Sequence, residues 1–221
     1  DIAYSDGIFL IVGGGTGFIE RSVDGINWET KISEGSFITS VAFGPEIIVA
    51  TGHNDRLLVS HDSGETWQDG NLGDKEQARF ASIIYAPNKF VAVGNAINGL
   101  SSRWATSVDG INWENITVDP NYILMQDISY GMGTYVTGGY HFLLTSKDGI
   151  TWENEYRTDA NIKNINFSNG VFVASGLNTF NGYPMVLISN DSGLTWTEID
   201  VSELVDEPII GGSVEYFDNP H

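Results

Sequence analysis

The strongest constraint on this chain is a short segment, rich in serine, aspartate, glycine and tryptophan, that occurs five times. Its aspartates are separated by 38, 47, 39 and 43 residues along the 221-residue chain. A period near 40 residues, with short strands between turns, is typical of the blades of a β-propeller. The sequence therefore predicts an all-β fold, a β-propeller of four-stranded antiparallel blades with five complete repeats. The repeated segments, called box turns below, occupy residues 22–28, 60–67, 107–113, 146–152 and 189–196.

The complete form of the box turn is Ser-x-Asp-x-Gly-x-Thr-Trp, which is present at residues 60–67 and 189–196. The other three copies are one residue shorter between the aspartate and the tryptophan. This segment resembles the Asp-box, or BNR repeat, of sialidases, sortilin-type receptors, xyloglucanases and photosystem II assembly factors. The resemblance covers nearly the whole chain and implies the propeller fold. It implies no single activity, because that family combines enzymes, receptors and assembly factors on one scaffold.

The remainder of each repeat contains two further strand patterns. The first is Ile or Val, any residue, then Tyr or Phe, as at Val41-Ala42-Phe43, and its period of two predicts a strand that ends in a hairpin. The second is an apolar run closed by glycine, as from Phe90 to Gly94, which predicts a strand covered on both faces. The third strand is expected to run into the box serine, and the box tryptophan to open the fourth. Each repeat is thus predicted to be a meander of four antiparallel strands.

These patterns divide the chain into the blades of one propeller domain, 1–221. The first-strand pattern occurs a sixth time at Val214-Glu215-Tyr216, so a further first strand is expected at about 210–217. Either the chain is a segment of a propeller with six or more blades, or this strand helps to close a five-bladed ring; we favour the segment. Closure matters because an open seam leaves strand edges and apolar faces unpaired. The predicted blades are approximately 1–35, 36–74, 75–121, 122–160 and 161–205.

The residue types of the box turn suit a tight reversal between the third and fourth strands. Glycine adopts positive φ, aspartate accepts backbone N–H groups across the turn, serine closes the same loop, and tryptophan buries a large ring between sheets. A catalytic or metal-binding role is disfavoured, because propeller geometry places the five carboxylates on separate blades. We therefore predict no catalytic residue and no metal ligand among them. The residues predicted to be structural are Asp24, Asp62, Asp109, Asp148, Asp191, Trp28, Trp67, Trp113, Trp152 and Trp196.

The charge balance limits the partners of the chain. Ten lysines and arginines stand against 29 acidic residues, a net charge of −19, which repels nucleic acid and anionic membranes. No cofactor is predicted; calcium is a candidate cation for so acidic a surface, although no calcium-binding motif is present. The chain has no cysteine and no apolar run long enough to span a membrane. We expect an exported or cell-surface protein whose signal peptide is not in this chain. Its partner is expected to be a glycan or a protein, and the sequence leaves the oligomeric state open.

Two classes of function fit this family resemblance. The first class is a glycoside hydrolase or a fragment of one. A sialidase-like site would require three convergent arginines and is marked in that family by an Arg-Ile-Pro signature. This signature is absent, because the five arginines are followed by Ser, Leu, Phe, Trp and Thr. A xyloglucanase-like site would require two facing carboxylates, and no pair stands out among the 29 acids. The second class, a non-catalytic recognition or scaffold propeller, is therefore preferred.

The meander also predicts where a partner would bind. The loops between second and third strands, and from each fourth strand to the next first strand, share one face, called the loop face; the box turns and first hairpins share the other. Loop aromatics and histidines offer flat apolar area with hydrogen-bonding groups, which suits sugars and peptides. Trp104 is the one tryptophan outside a box turn, and its position in the repeat predicts a core residue. The residues predicted to bind a ligand on the loop face are His53, Arg56, Tyr140, His141, Phe180 and Tyr183.

Overall fold

A computed structural model describes residues 1–33, 35–72, 78–96, 101–116, 118, 124–199 and 201. Within these residues the chain forms nineteen strands and no helix. The expected sixth first strand at 210–217 lies outside the described residues. The strands of the first half are β1 (Ile2–Ser5), β2 (Ile8–Gly13), β3 (Phe18–Ser22), β4 (Glu29–Ile32), β5 (Ile38–Phe43), β6 (Ile48–Gly52), β7 (Leu57–Ser60), β8 (Gln68–Asp69), β9 (Ala78–Tyr85) and β10 (Phe90–Ala96). Those of the second half are β11 (Trp104–Ser107), β12 (Glu114–Ile116), β13 (Asp127–Gly131), β14 (Thr134–Gly138), β15 (Tyr140–Ser146), β16 (Glu153–Ser168), β17 (Val171–Asn178), β18 (Pro184–Ser189) and β19 (Thr197–Ile199).

Each repeat folds as a meander of antiparallel strands paired with their neighbours in the chain. Strands β1–β4, β5–β8 and β9–β12 form three separate four-stranded sheets. Strands β13–β19 form one sheet of seven, because β16 serves both as the fourth strand beside β15 and as the first strand beside β17. Residues 153–157 pair with β15 and residues 160–168 with β17, so the expected blade boundary at residue 160 lies inside a continuous strand.

Burial of the second strands depends on their place in the series of sheets. Strands β6, β10 and β14 are buried almost throughout, as predicted for strands covered on both faces. Strands β2 and β17 alternate between buried and accessible residues, and Val173 is 38% exposed, so the same prediction is wrong for them. Among the described residues, the first repeat (β1–β4) and the last repeat (β16–β19) each have a neighbouring repeat on one side only, which leaves the other face of β2 and of β17 accessible.

The core consists of four apolar clusters, one between each pair of consecutive repeats. The cluster between the first two sheets joins Leu10 and Ile19 to Val41 and Leu58. The other three link β5–β8 to β9–β12, β9–β12 to β13–β16, and the two halves of the seven-stranded sheet. Trp104 is fully buried and packs edge-on against Trp152, with ring centroids 4.9 Å apart. Burial of apolar side chains between sheets is therefore the main force that stacks the repeats.

Polar residues at the start of the first strands connect neighbouring sheets. The Asp1 carboxylate accepts hydrogen bonds from Ser40 Oγ at 2.8 Å and from the backbone N–H of Val41 at 3.0 Å. Two sheets further along, Ser82 Oγ donates to Asp127 at 2.7 Å, and the other Asp127 oxygen accepts the N–H of Ile165 at 2.6 Å. The first strands of successive sheets also contact one another. These bonds fix the relative position of first strands that share no ladder hydrogen bonds.

Candidate functional site

The box carboxylates accept hydrogen bonds from the turns that contain them. Asp62 Oδ1 accepts the N–H of Thr66 at 2.8 Å and the Ser60 hydroxyl at 2.9 Å, and Oδ2 accepts the Thr66 hydroxyl at 2.6 Å. Hydrogen bonds from the Thr66 side chain and backbone lower the pKa of Asp62 to about 2. The complete copy at 189–196 repeats this geometry, and its Thr195 lowers the pKa of Asp191 to about 2. An ionised carboxylate with both oxygens engaged is a capping group and is poorly suited to proton transfer.

In the three shorter box turns the aspartate also accepts hydrogen bonds from the turn, which has one residue fewer. Asp109 Oδ1 accepts the N–H groups of Ile111 and Asn112 at 2.9 and 2.8 Å, and Oδ2 accepts the Asn112 side-chain amide at 2.8 Å. These bonds, led by the Asn112 N–H, lower the pKa of Asp109 below its usual range. Gly110 has φ 71°, and a Cβ there would lie 2.9 Å from Val49 of the preceding sheet. Glycine is thus required at this position both by backbone conformation and by close packing.

Four of the five box tryptophans pack on the repeat that precedes their own, whereas Trp28 contacts Phe9 of its own sheet, with ring centroids 6.4 Å apart. Trp113 is 8% exposed and belongs to the cluster that contains Val49, and its indole N–H donates to the carbonyl of Gly110 at 3.0 Å. Trp67, Trp152 and Trp196 contact the clusters of their preceding sheets in the same way. The box turn is consequently a device that closes a hairpin and joins two sheets. In the part of the chain that the structure describes, no group of three or more histidine and acidic side chains is arranged to hold a metal ion.

On the loop face, the structure brings three of the six predicted binding residues together. The ring of His141 lies 4.1 Å from that of Tyr140 and 6.3 Å from that of Phe180, both in edge-on geometry. Phe180 is 79% exposed and Tyr140 is 38% exposed. The sequence placed Tyr140 and His141 in a loop, which is wrong: both belong to the first residues of β15. We call Tyr140, His141 and Phe180 the aromatic cluster.

The aromatic cluster is held by a strained backbone and a hydrogen-bonded loop. His141 has φ 72°, a conformation that non-glycine residues adopt at a cost and that is often found at functional sites. Its Nδ1 lies 3.1 Å from the carbonyl oxygen of Thr158, and its Nε2 lies 3.3 Å from Thr179 Oγ1. The loop after β17 is closed on itself, because Asn178 Oδ1 accepts the N–H of Phe180 at 2.9 Å. An exposed aromatic ring on a loop fixed in this way loses little conformational freedom when it binds a partner.

The other three predicted binding residues lie elsewhere on the loop face or in a supporting role. His53 and Arg56 share the turn after β6, where the His53 ring is 5.2 Å from that of Phe37. Burial, followed by the charge of Arg79, lowers the pKa of His53. Tyr183 is half-buried, and its carbonyl accepts the N–H of Asn178 at 2.8 Å, which closes the base of the Phe180 loop. No contact joins His53 or Arg56 to the aromatic cluster among the described residues.

Sequence reasoning missed two neighbouring cavities on the face of the box turns. One, of about 480 Å³, lies between the first two sheets, and the other, of about 600 Å³, lies between the second and third. Both are lined by Pro45, Glu46, Ile47 and His61, so they lie side by side, and the two together are called the box-face groove below. The sequence gives no signal for the groove, because the first box turn has the same apolar residues as the third: Val23 and Ile26 match Val108 and Ile111.

Comparisons with known proteins bear on the fold alone. No protein-family model matches the sequence, and no curated protein matches it significantly. None of the described residues forms a helix with the length and apolar character needed to cross a membrane.

Solved structures similar to this chain include several propellers. YCF48 bound to D1 peptide is 18% identical with a TM-score of 0.59 over 89% of this chain, and the WD40 β-propeller domain of Doa1 is 11% identical with a TM-score of 0.62 over 87%. The GH74 enzyme of Niastella koreensis is 18% identical with a TM-score of 0.59 over 90%. This chain spans 59%, 65% and 31% of those three chains, which is less than two thirds of each. The all-β architecture of antiparallel four-stranded repeats is that of a β-propeller.

Proposed function

We propose that this chain is a non-catalytic recognition or scaffold propeller of the Asp-box family, on an exported or cell-surface protein, and that it binds a glycan or protein partner through the loop face. The observation that carries the proposal is the aromatic cluster. Phe180 is exposed over 79% of its surface, lies beside the exposed ring of Tyr140, and stands on a loop that its own hydrogen bonds fix, and adjacent exposed aromatic rings on a fixed loop are typical of an interaction site. Similar propellers include one that is described in complex with a peptide.

The chemistry of the aromatic cluster suits a sugar ring or an extended peptide. Tyr140 and Phe180 provide flat apolar area, and the phenol of Tyr140 adds a hydroxyl group beside it. The cluster lies where β15 meets the loop between β17 and β18, so a ligand would contact two repeats. Recognition through a few rigid aromatic anchors is the usual origin of binding energy at such surfaces.

The test is binding of the labelled chain to a glycan array and to a library of displayed random peptides, each with calcium and with a chelator. We expect Phe180→Ser to weaken binding at least about tenfold while the melting temperature stays unchanged, since exposed anchors contribute contact area and little core packing. Ile26→Ser is the matched control, because Ile26 is 81% exposed on a box turn, away from the cluster. Equal loss in both variants would contradict the proposal.

The same experiment separates recognition from hydrolysis. Any glycan that the array identifies is incubated with the chain, and release of reducing sugar is measured. A retaining or inverting hydrolase requires two carboxyl groups on either side of the bond, so turnover that disappears on replacing one acidic residue would establish the alternative of a glycoside hydrolase. Binding without turnover supports the recognition function. Binding that depends on calcium would add a cation to the site.

A further inference from the structure

The box-face groove has the shape and chemistry of a second interaction surface. Its two cavities, of about 480 and 600 Å³, share their central residues and cross three successive sheets. Each is within the size range of ligand pockets. Two cavities side by side are suited to an extended chain that runs across the sheets.

One wall of the groove is apolar. Val108 and Ile111 are 76% and 42% exposed in the third box turn, and both line the larger cavity. The first box turn has the same two residues, Val23 and Ile26, at 62% and 81% exposure, so exposed apolar side chains recur in this short form of the turn. In the third turn these side chains also line a cavity beside Glu46. Adjacent exposed apolar residues beside a cavity are typical of an interaction site.

Three acidic residues line the groove, and a backbone hydrogen bond closes the turn that carries the central one. Glu46 sits on the β5–β6 turn, which the hydrogen bond from Gly44 N–H to the Ile47 carbonyl closes at 2.8 Å. Asp6 lines one end of the groove and Asp109 the other. The arginine in the groove, Arg21, is already paired with Glu65 at 2.9 Å. The groove therefore presents uncompensated negative charge beside an apolar wall.

We propose that this groove binds an extended peptide segment of a partner protein, in which a lysine or arginine meets the Glu46 carboxylate and a neighbouring apolar side chain packs against Val108 and Ile111. Charge complementarity decides the class of occupant: nucleic acid and a second copy of this chain, at a net charge of −19, are both repelled. The surface is separate from the aromatic cluster, so it stands or falls independently of the function proposed above.

The test is selection of random short peptides, displayed on phage, against the whole chain. We expect the selected peptides to combine a basic residue with a nearby apolar one. Their affinity, measured by fluorescence anisotropy, should fall at least about tenfold in Glu46→Lys and in Val108→Ser/Ile111→Ser, because each removes one half of the recognition. Added salt should weaken binding to the wild-type chain.

Two matched variants make the outcome specific. Leu194→Ser and Ile26→Ser change exposed apolar residues of other box turns that line neither cavity. Both should retain the affinity of the wild-type chain for the selected peptides, and the melting temperature of every variant is measured to exclude unfolding. Amide chemical-shift changes on titration should centre on residues 46, 47, 61 and 108–111. No enrichment of basic–apolar peptides, unchanged binding to Glu46→Lys, or preferential binding of a glycan or a second copy at this groove would overturn the proposal.

Discussion

The buried carboxylate of Asp127 should impose a measurable pH dependence on stability. Desolvation is the largest influence on this group and raises its pKa to about 6, against 3.8 for a free aspartate, even though Ile165, Ser82 and Ile128 all donate hydrogen bonds to it. The folded chain therefore holds a proton that the unfolded chain releases between pH 3.8 and 6. By linkage, the contribution of Asp127 to the free energy of unfolding is full below pH 3.8 and is lost as the pH rises through 6.

The size of this effect follows from the two pKa values. The difference between about 6 in the folded chain and 3.8 in the unfolded chain corresponds to about 3 kcal/mol. Burial also lowers the pKa of His53, so that the unfolded chain takes up a proton first as the pH falls, and this contributes the opposite slope below pH 6.5. The wild-type pH profile alone would therefore mix the two groups. The difference between the wild-type chain and Asp127→Asn removes His53 from the comparison.

The assay is urea denaturation of the wild-type chain and Asp127→Asn at several pH values from 4 to 7. We expect the wild-type free energy of unfolding, relative to the variant, to fall by up to about 3 kcal/mol across this range. The loss of one acceptor for the N–H of Ile128 or Ile165 adds a constant offset. Asp191→Asn is the matched control: the pKa of Asp191 is lowered to about 2, so this carboxylate titrates below the assayed range and the difference between wild type and variant should stay flat from pH 4 to 7. A difference for Asp127→Asn that is flat or rises with pH would refute the argument.

Three further predictions concern the box turns, Gly94 in β10 and the net charge. Asp62→Ala should lower the free energy of unfolding by about 1 kcal/mol, since an exposed turn loses its acceptor, while loop-face binding is retained; a binding loss at unchanged melting temperature would contradict a structural role. Gly94→Ala should cost roughly 1 to 3 kcal/mol, because its Cβ would lie 2.2 Å from the Arg79 carbonyl oxygen, whereas Gly15→Ala should be near neutral in the same denaturation assay. Because the net charge is −19, sodium chloride at about 0.1 M should raise the melting temperature, since it screens charge repulsion beyond about 10 Å. A fall in melting temperature would contradict this. Equal effects of calcium and magnesium on the melting temperature would argue against a specific calcium site.

The fold was predictable because the period of the box turns and the strand patterns between them indicate the same structure. The apolar run from Phe90 to Gly94 lies within β10, and the run from Tyr135 to Gly138 within β14. The continuous strand β16 was not predicted, since local patterns do not show whether two strands meet at a bend or in line. Its middle, Thr158-Asp159-Ala160-Asn161, contains neither glycine nor proline, which would have marked a break.

The binding surfaces were less predictable, because they depend on side chains that meet only after sheets stack. The aromatic cluster combines Tyr140 with Phe180, forty residues away in sequence, and the strain at His141 has no signature in composition. The box-face groove was missed for a related reason. Asp109 and Gly110 are fully explained as turn residues, and the first box turn carries the same apolar residues, Val23 and Ile26, so the sequence of the turn gives no sign of a cavity. What distinguishes Val108 and Ile111 is their position beside the β5–β6 turn, where Glu46 and Ile47 line the same cavity. That position is fixed only when the second and third repeats stack, so it cannot be read from any single turn.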